Sequence, residues 1–219
     1  MKLMRSALAA SLATALALSA GPAFAQAARP PAAAAAAAPA KPQAAWSGEA
    51  QTFVMGLLAE LSAINGMSGL SEAEKQKRVA AVLSRHLAVE WMGAFLLGAN
   101  RAKATPEQLA EYNRLVPAYI ASSFATRINE LAAQNLKPGA VTTRSPQEVI
   151  VATSFLRRST NGQVQVSWRV AKQGTAAPKL LDVAVNGVSP LVVQREEFSS
   201  LVKQGGFDGL LNRLRSSAA

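Results

Sequence analysis

Residues 180–214 read LLDVAVNGVSPLVVQREEFSSLVKQGGFDGLLNRL and predict one strand followed by two helices. Leu181, Val183 and Val185 occupy every second position, which is the period of a half-buried strand. An Asn-Gly pair at 186–187 then ends the strand in a tight turn. The segment therefore forms one wall of the fold, and none of its residues is an obvious catalyst.

The helix after this turn has both a start signal and a stop signal. Ser189 is a favourable N-cap residue, and Pro190 suits the first helical position. Gly205 and Gly206 predict the end of the helix. A last short amphipathic helix follows, because its apolar residues recur three and four positions apart. These residues are Phe207, Leu210, Leu211 and Leu214.

Strand patterns also precede this segment. An Asn-Gly pair at 161–162 is a strong hairpin signal, and the period of two begins after Gly139. Three or four antiparallel strands are therefore expected to share one apolar face. The alternating apolar residues upstream of the last strand are Val149, Val151, Phe155, Val164, Val166, Trp168 and Val170.

Residues 50–132 have the period of amphipathic helices. Ser71 with Glu74 forms a capping-box signature, and Thr105 with Gln108 forms a second one before a long helix. Pro117 lies inside that long helix and is expected to kink it. Helices followed by strands predict an α+β fold with helices packed on one face of a twisted sheet.

Residues 1–25 have the features of a secretory signal peptide. Lys2 and Arg5 form a basic start, residues 7–20 are apolar, and Ala-Phe-Ala at 23–25 is a cleavage site. The apolar run is too short for a permanent membrane span. We therefore expect export, and the alternative is a retained membrane anchor.

Residues 26–47 consist mainly of alanine and proline and predict a flexible linker. The remaining residues, 48–219, are enough for one domain with a sizeable core. The sequence contains no cysteine, which excludes disulfides and a lipoprotein anchor. These features together predict a protein of a bacterial periplasm.

The chain is basic, with a formal net charge of +10. Removal of residues 1–25, which contain Lys2, Arg5 and no acid, lowers this charge to +8. A basic protein favours an anionic partner such as a lipid headgroup or a membrane surface, and solubility alone is the alternative explanation. Export and the dispersed positions of the charges argue against nucleic acid.

The residues offer little chemistry for catalysis or for metal binding. His86 is the only histidine, and its position late in a helix is more typical of a surface or capping role. Asp182, Tyr112 and Tyr119 are the candidates for a small pocket enzyme with a perturbed pKa. Asp182 is expected on the strand face opposite Val183, which weakens this hypothesis.

Four sequence fragments, in the same order, are similar to the MlaC family, the toluene-tolerance periplasmic phospholipid-binding proteins. Residues 95–98 read FLLG, and residues 101–108 read RAKATPEQ. Residues 119–131 carry Arg127 and Glu130 at the family's positions. The last fragment lies within residues 180–214, and the resemblance extends over roughly residues 50–215.

The resemblance implies a twisted antiparallel sheet of about four strands, with helices wrapped around its concave face and enclosing an apolar cavity. It implies no catalysed reaction and no cofactor, with bound phospholipid as cargo. The implied partners are an inner-membrane ABC transporter complex and an outer-membrane lipoprotein complex, and the carrier would be a monomer. A hopanoid-associated branch of the family leaves open whether the cargo is a phospholipid or a hopanoid-type lipid.

We interpret a set of apolar residues as candidates for the lining of this cavity, although ordinary core packing is the more common explanation for each residue taken singly. A small pocket enzyme and an envelope interaction module with a filled core remain alternative functions. The candidate lining residues are Phe95, Leu97, Val116, Tyr119, Phe124, Val151, Phe155, Val166, Trp168, Val183, Val185, Phe198 and Val202.

Overall fold

The computed structural model describes residues 44–157, 159 and 161–218. The predicted signal peptide and residues 26–43 of the predicted linker lie outside this part of the chain. Within it, four α-helices precede a four-stranded sheet and a fifth follows, so the predicted α+β class is confirmed. The elements are α1 (Ser47–Asn65), α2 (Glu72–His86), α3 (Val89–Leu97), a short 3-10 helix (Gly98–Lys103), α4 (Pro106–Ala132), β1 (Lys137–Ser145), β2 (Glu148–Arg157), β3 (Gly162–Ala171), β4 (Lys179–Val185) and α5 (Pro190–Ala218).

The sheet is an antiparallel meander in the order β1-β2-β3-β4. Its apolar face follows the predicted alternation, and Trp168 at its centre is fully buried. Trp168 is in register with Val151 of β2 and Val183 of β4. Its indole N–H donates a hydrogen bond to Thr153 Oγ1 at 2.8 Å, so both buried polar groups are satisfied.

A β-bulge in β4 changes the alternation that the sequence predicts. Val170 pairs with Leu180 and Arg169 pairs with Asp182, so Leu181 is the extra residue between these pairs. The prediction that Leu181 belongs to the regular row of Val183 is therefore wrong. Leu180 pairs opposite Val170 instead, because a bulge adds one residue to its strand.

The edge strand β1 carries almost no pattern in the sequence. All nine of its residues are exposed or half-buried, so no buried row marks it. The segment before α1 contacts this edge. The Ala44 N–H donates to Thr143 Oγ1 at 2.7 Å, and the Trp46 indole N–H donates to the Pro146 carbonyl at 2.9 Å. Residues 44–47, which end the predicted linker, thus contact the domain.

The break between α2 and α3 lies where the chain reaches the opposite edge of the sheet. Leu87 forms a parallel bridge with Leu180 of β4. The Ala88 N–H donates to the Leu180 carbonyl at 2.9 Å. Because this pairing uses extended backbone, the apolar pattern that continues from α2 into α3 is divided between two helices.

The predicted helix signals are confirmed in the structure. Ser71 with Glu74 and Thr105 with Gln108 each form a complete capping box. The Val192 N–H donates to Ser189 Oγ at 3.1 Å, which caps α5. Within the described residues, no helix is both long and apolar enough to cross a membrane.

The glycine pair in α5 interrupts the helix, as the sequence predicts. Gly205 has φ −125° and ψ 17°, and Gly206 has φ 64° and ψ −170°. The second conformation is almost restricted to glycine, because a Cβ atom would clash with the backbone. The last part of α5 therefore runs as a separate amphipathic helix, with Leu210 and Leu214 buried.

Candidate functional site

An open groove with a volume of about 1040 Å³ lies between the end of α4 and one end of the sheet. We call it the α4–sheet groove. It takes residues from the last turns of α4, the following turn, the start of β1, and the ends of β2 and β4. Its lining residues are Arg127, Glu130, Leu131, Ala133, Gln134, Asn135, Lys137, Phe155, Leu156, Arg157, Ser159 and Val185.

The floor of the groove is apolar because the buried face of the sheet reaches it. Phe155 and Val185 are half-buried and pack against the hydrophobic core, and Leu131 of α4 is buried. Val185 pairs with Val166 of β3, which is fully buried. The groove floor is thus continuous with the apolar face of the sheet.

The rim of the groove is polar and mostly cationic. Arg127, Lys137 and Arg157 are exposed there together with Glu130. Leu156 is also on the rim and has an exposed fraction of 59 %. An apolar floor below a charged rim suits a ligand with one apolar and one polar end.

Only two of the candidate lining residues line the α4–sheet groove: Phe155 and Val185. Phe95 is half-buried on α3, where its ring stacks on Trp91 and lies below the Arg195 guanidinium, 4.7 Å from it. That any of the other candidates line a lipid cavity remains a prediction. Those located in the buried core are Leu97, Val116, Tyr119, Phe124, Val151, Val166, Trp168, Val183, Phe198 and Val202.

The charged rim was missed by sequence reasoning. Arg127 and Glu130 appear only as matching positions in a family fragment, and Lys137 and Arg157 carry no signal of their own. The groove joins α4 to strand ends that are far apart in the chain, so periodicity within one element does not reveal it. Leu156, at the end of β2, is the one large apolar side chain among the described groove residues that is exposed.

Asp182 has a structural role in the observed contacts. It has an exposed fraction of only 9 %, although it lies on the strand face opposite Val183. Burial raises the pKa of its carboxyl, while hydrogen bonds from Ser189 Oγ at 2.5 Å and from the Val183 N–H at 2.8 Å oppose that rise. The carboxyl thereby joins β4 to the start of α5.

The two tyrosines are also held by neighbours away from the groove. Tyr112 OH donates to the Gly93 carbonyl at 2.8 Å, and burial raises its pKa. Tyr119 OH accepts from Gln194 Nε2 at 3.1 Å, and burial likewise raises its pKa. Neither residue lines the α4–sheet groove.

His86 lies in the last turn of α2, in keeping with the predicted capping or surface role. Its Nε2 is 3.4 Å from Glu60, and its ring meets Phe53 edge-on. Among the described residues, no group of three or more histidine, cysteine or acidic side chains is arranged to hold a metal ion.

Residues 52–216 match the family model described as MlaC protein. The chain belongs to the MlaC family. This match includes the whole sheet, most or all of each of the five helices, and every residue of the α4–sheet groove. The resemblance that the sequence fragments indicated is confirmed.

A solved structure with the same fold is the phospholipid-binding protein from Ralstonia solanacearum, determined in complex with a phospholipid. The two chains share 18 % sequence identity and superpose with a TM-score of 0.61. The match covers 77 % of this chain and 96 % of the Ralstonia chain. No curated protein has a significant match to the sequence. This MlaC family member thus shares its fold with a protein that binds phospholipid.

Proposed function

We propose that this MlaC family member is a periplasmic lipid carrier. The α4–sheet groove would hold acyl chains, and the headgroup would remain at the rim. The observation that carries the proposal is the continuity between the groove floor, at Phe155 and Val185, and the apolar face of the sheet. The fold shared with the phospholipid-bound Ralstonia protein supports it.

Simple energetics favour such a site. Each methylene removed from water contributes about 0.8 kcal/mol, so an acyl chain needs an apolar surface and few specific contacts. Ligand pockets commonly have volumes of about 300–1,000 Å³. The groove, at about 1040 Å³, reaches the upper end of that range. Burial of acyl chains in a groove of this volume needs no covalent step. We therefore propose a carrier rather than an enzyme.

The proposed route of transport follows from the family. The exported monomer would take lipid between an outer-membrane lipoprotein complex and an inner-membrane ABC transporter. Bound phospholipid, or a related membrane lipid, would be its cargo, and it would need no cofactor. Export by the predicted signal peptide, residues 1–25, belongs to the same proposal.

Native mass spectrometry of the chain, expressed for export and purified without detergent, tests this function. We expect a mass excess over the polypeptide that extracts as phospholipid. A bare polypeptide that also takes up no lipid from liposomes would contradict the proposal. Such a result would instead favour an envelope interaction module with a filled core.

A further inference from the structure

The α4–sheet groove has a rim on which three cations face a single carboxylate. Arg127 and Glu130 are three residues apart on α4 and so lie on the same side of the helix. Lys137 begins β1 and is in register with Ser154 of β2, which lies three residues before Arg157 at the end of that strand. The rim residues that the structure describes therefore carry a formal charge of +2 above the apolar floor.

The three rim cations are available for a ligand. Within the part of the chain that the structure describes, Arg127, Lys137 and Arg157 take part in no ion pair. By contrast, Arg215 forms a two-pronged pair with Glu111, at 2.7 and 2.8 Å. A new anion at the rim would thus meet guanidinium and ammonium groups without displacing a carboxylate.

We infer that this rim selects lipids whose headgroups carry a net negative charge over zwitterionic lipids with the same acyl chains. This inference rests on the proposed lipid-carrier function. Anionic and zwitterionic phospholipids both bring a phosphate group that the cations attract. A zwitterionic headgroup adds an ammonium group, which the cations repel and Glu130 attracts. Because three cations oppose one carboxylate, the repulsion is the larger effect.

The preference is modest because all four charged side chains are exposed and water screens them. We expect the anionic lipid to be enriched roughly three- to tenfold at low ionic strength. The enrichment falls with added salt, since the Debye length shortens to about 3 Å at 1 M.

A competition between two lipids in the same vesicle tests the inference. The chain, expressed for export and purified, is incubated with vesicles that contain equal amounts of phosphatidylglycerol and phosphatidylcholine with matched acyl chains. The protein is then re-isolated, and its lipids are extracted and quantified. Both lipids share one membrane, so attraction of a basic protein to the vesicle surface does not bias the choice between them.

The decisive variant combines Arg127→Gln, Lys137→Gln and Arg157→Gln. We expect it to bind lipid in the proportion present in the vesicle, with an unchanged total load. The matched control combines Lys77→Gln, Lys103→Gln and Lys203→Gln, which are exposed residues away from the groove. It removes the same net charge and should keep the enrichment.

A single substitution at the rim should change the enrichment of the anionic lipid in the opposite direction. Glu130→Gln should raise the enrichment of phosphatidylglycerol above that of the unaltered chain, because Glu130 is the one carboxylate among the described groove residues. An unaltered chain that binds both lipids equally would overturn the inference and leave the carrier function intact. An equal loss of enrichment in both triple variants would also overturn the inference, because the preference would then depend on the overall charge of the protein. A chain that takes up neither lipid would overturn the proposed function and, with it, this inference.

Discussion

Ser189 Oγ donates a hydrogen bond to Asp182 Oδ2 at 2.5 Å and accepts one from the Val192 N–H at 3.1 Å. One hydroxyl thus connects a buried carboxyl of β4 to the first turn of α5. Asp182 also accepts from the Val183 N–H at 2.8 Å. The turn between strand and helix is held by these bonds, and the same turn positions Val185 at the floor of the α4–sheet groove.

Ser189→Ala should lower the free energy of unfolding by about 1–3 kcal/mol. The change removes the cap of α5 and leaves Asp182 Oδ2 without its hydroxyl partner. Urea denaturation at neutral pH measures the loss. Ser122→Ala is the control, because Ser122 is exposed on α4, and it should change stability by less than about 0.5 kcal/mol. Equal stability of both variants would contradict the role of Ser189.

The stability of the protein should depend on the protonation of Asp182. Burial raises the pKa of this carboxyl above its ordinary 3.8, although Arg169 and the Ser189 hydroxyl oppose the rise. The folded state therefore keeps the proton to a higher pH than the unfolded state. The protonated Asp182 carboxyl therefore stabilises the folded state fully below pH 3.8. This stabilisation is lost as the pH rises through the raised pKa of the folded state.

Comparison with Asp182→Asn isolates this effect, because every other titratable group is common to both proteins. The difference in unfolding free energy, unaltered chain minus variant, should become smaller as the pH rises from acid to neutral. Urea denaturation at several pH values measures it. A difference that grows with pH would mean that the hydrogen bonds and Arg169 outweigh burial.

Val185→Trp should reduce bound lipid while the fold is kept. Val185 is half-buried on the groove floor, so a larger side chain occupies the volume that an acyl chain would use. Val183 and Val166 are fully buried, and enlarging them risks overpacking the core. Val193→Trp is the control, since Val193 on α5 has an exposed fraction of 58 % and does not line the groove. Lipid extraction from both purified variants, with circular dichroism for the fold, measures the outcome.

Gly206→Ala should destabilise the protein by about 1–3 kcal/mol. The cost is one of local backbone conformation, because Gly206 has φ 64° and a Cβ atom there would meet no atom of a packed neighbour within 4 Å. Gly205→Ala is a matched control at the neighbouring position, which has φ −125° and equal space. Thermal unfolding should separate the two variants, and equal midpoints would refute the conformational explanation.

The elements that the sequence predicted well are those with strong local signals. The capping boxes at Ser71 and Thr105, the alternation around Trp168 and the glycine stop at Gly206 all depend on residues within a few positions of each other. The edge strand β1 has no buried row, and the bulge at Leu181 depends on pairing with β3. Local patterns carry no information about such pairing, which explains these failures.

The candidate site was harder to predict than the fold. Phe155 and Val185 have the same apolar character as the fully buried Val166, and only the end of the sheet makes them a groove floor. The charge at the rim comes from Arg127, Lys137 and Arg157, which lie on different elements. Tertiary structure alone brings these side chains together.

The contacts of Ala44 and Trp46 with the β1 side of the sheet have a consequence for solubility. An uncovered outer strand offers free N–H and C=O groups to another molecule and promotes aggregation. Leu87 and Ala88 protect the β4 edge from within the domain. On the β1 side, Ala44 and Trp46 at the end of the predicted linker add to a contact from α1, in which Gln51 donates to the Gly139 carbonyl at 3.3 Å. A protease that cut after Trp46 would remove the contacts of Ala44 and Trp46 and expose more of that strand. We expect such a cut to increase self-association of the chain.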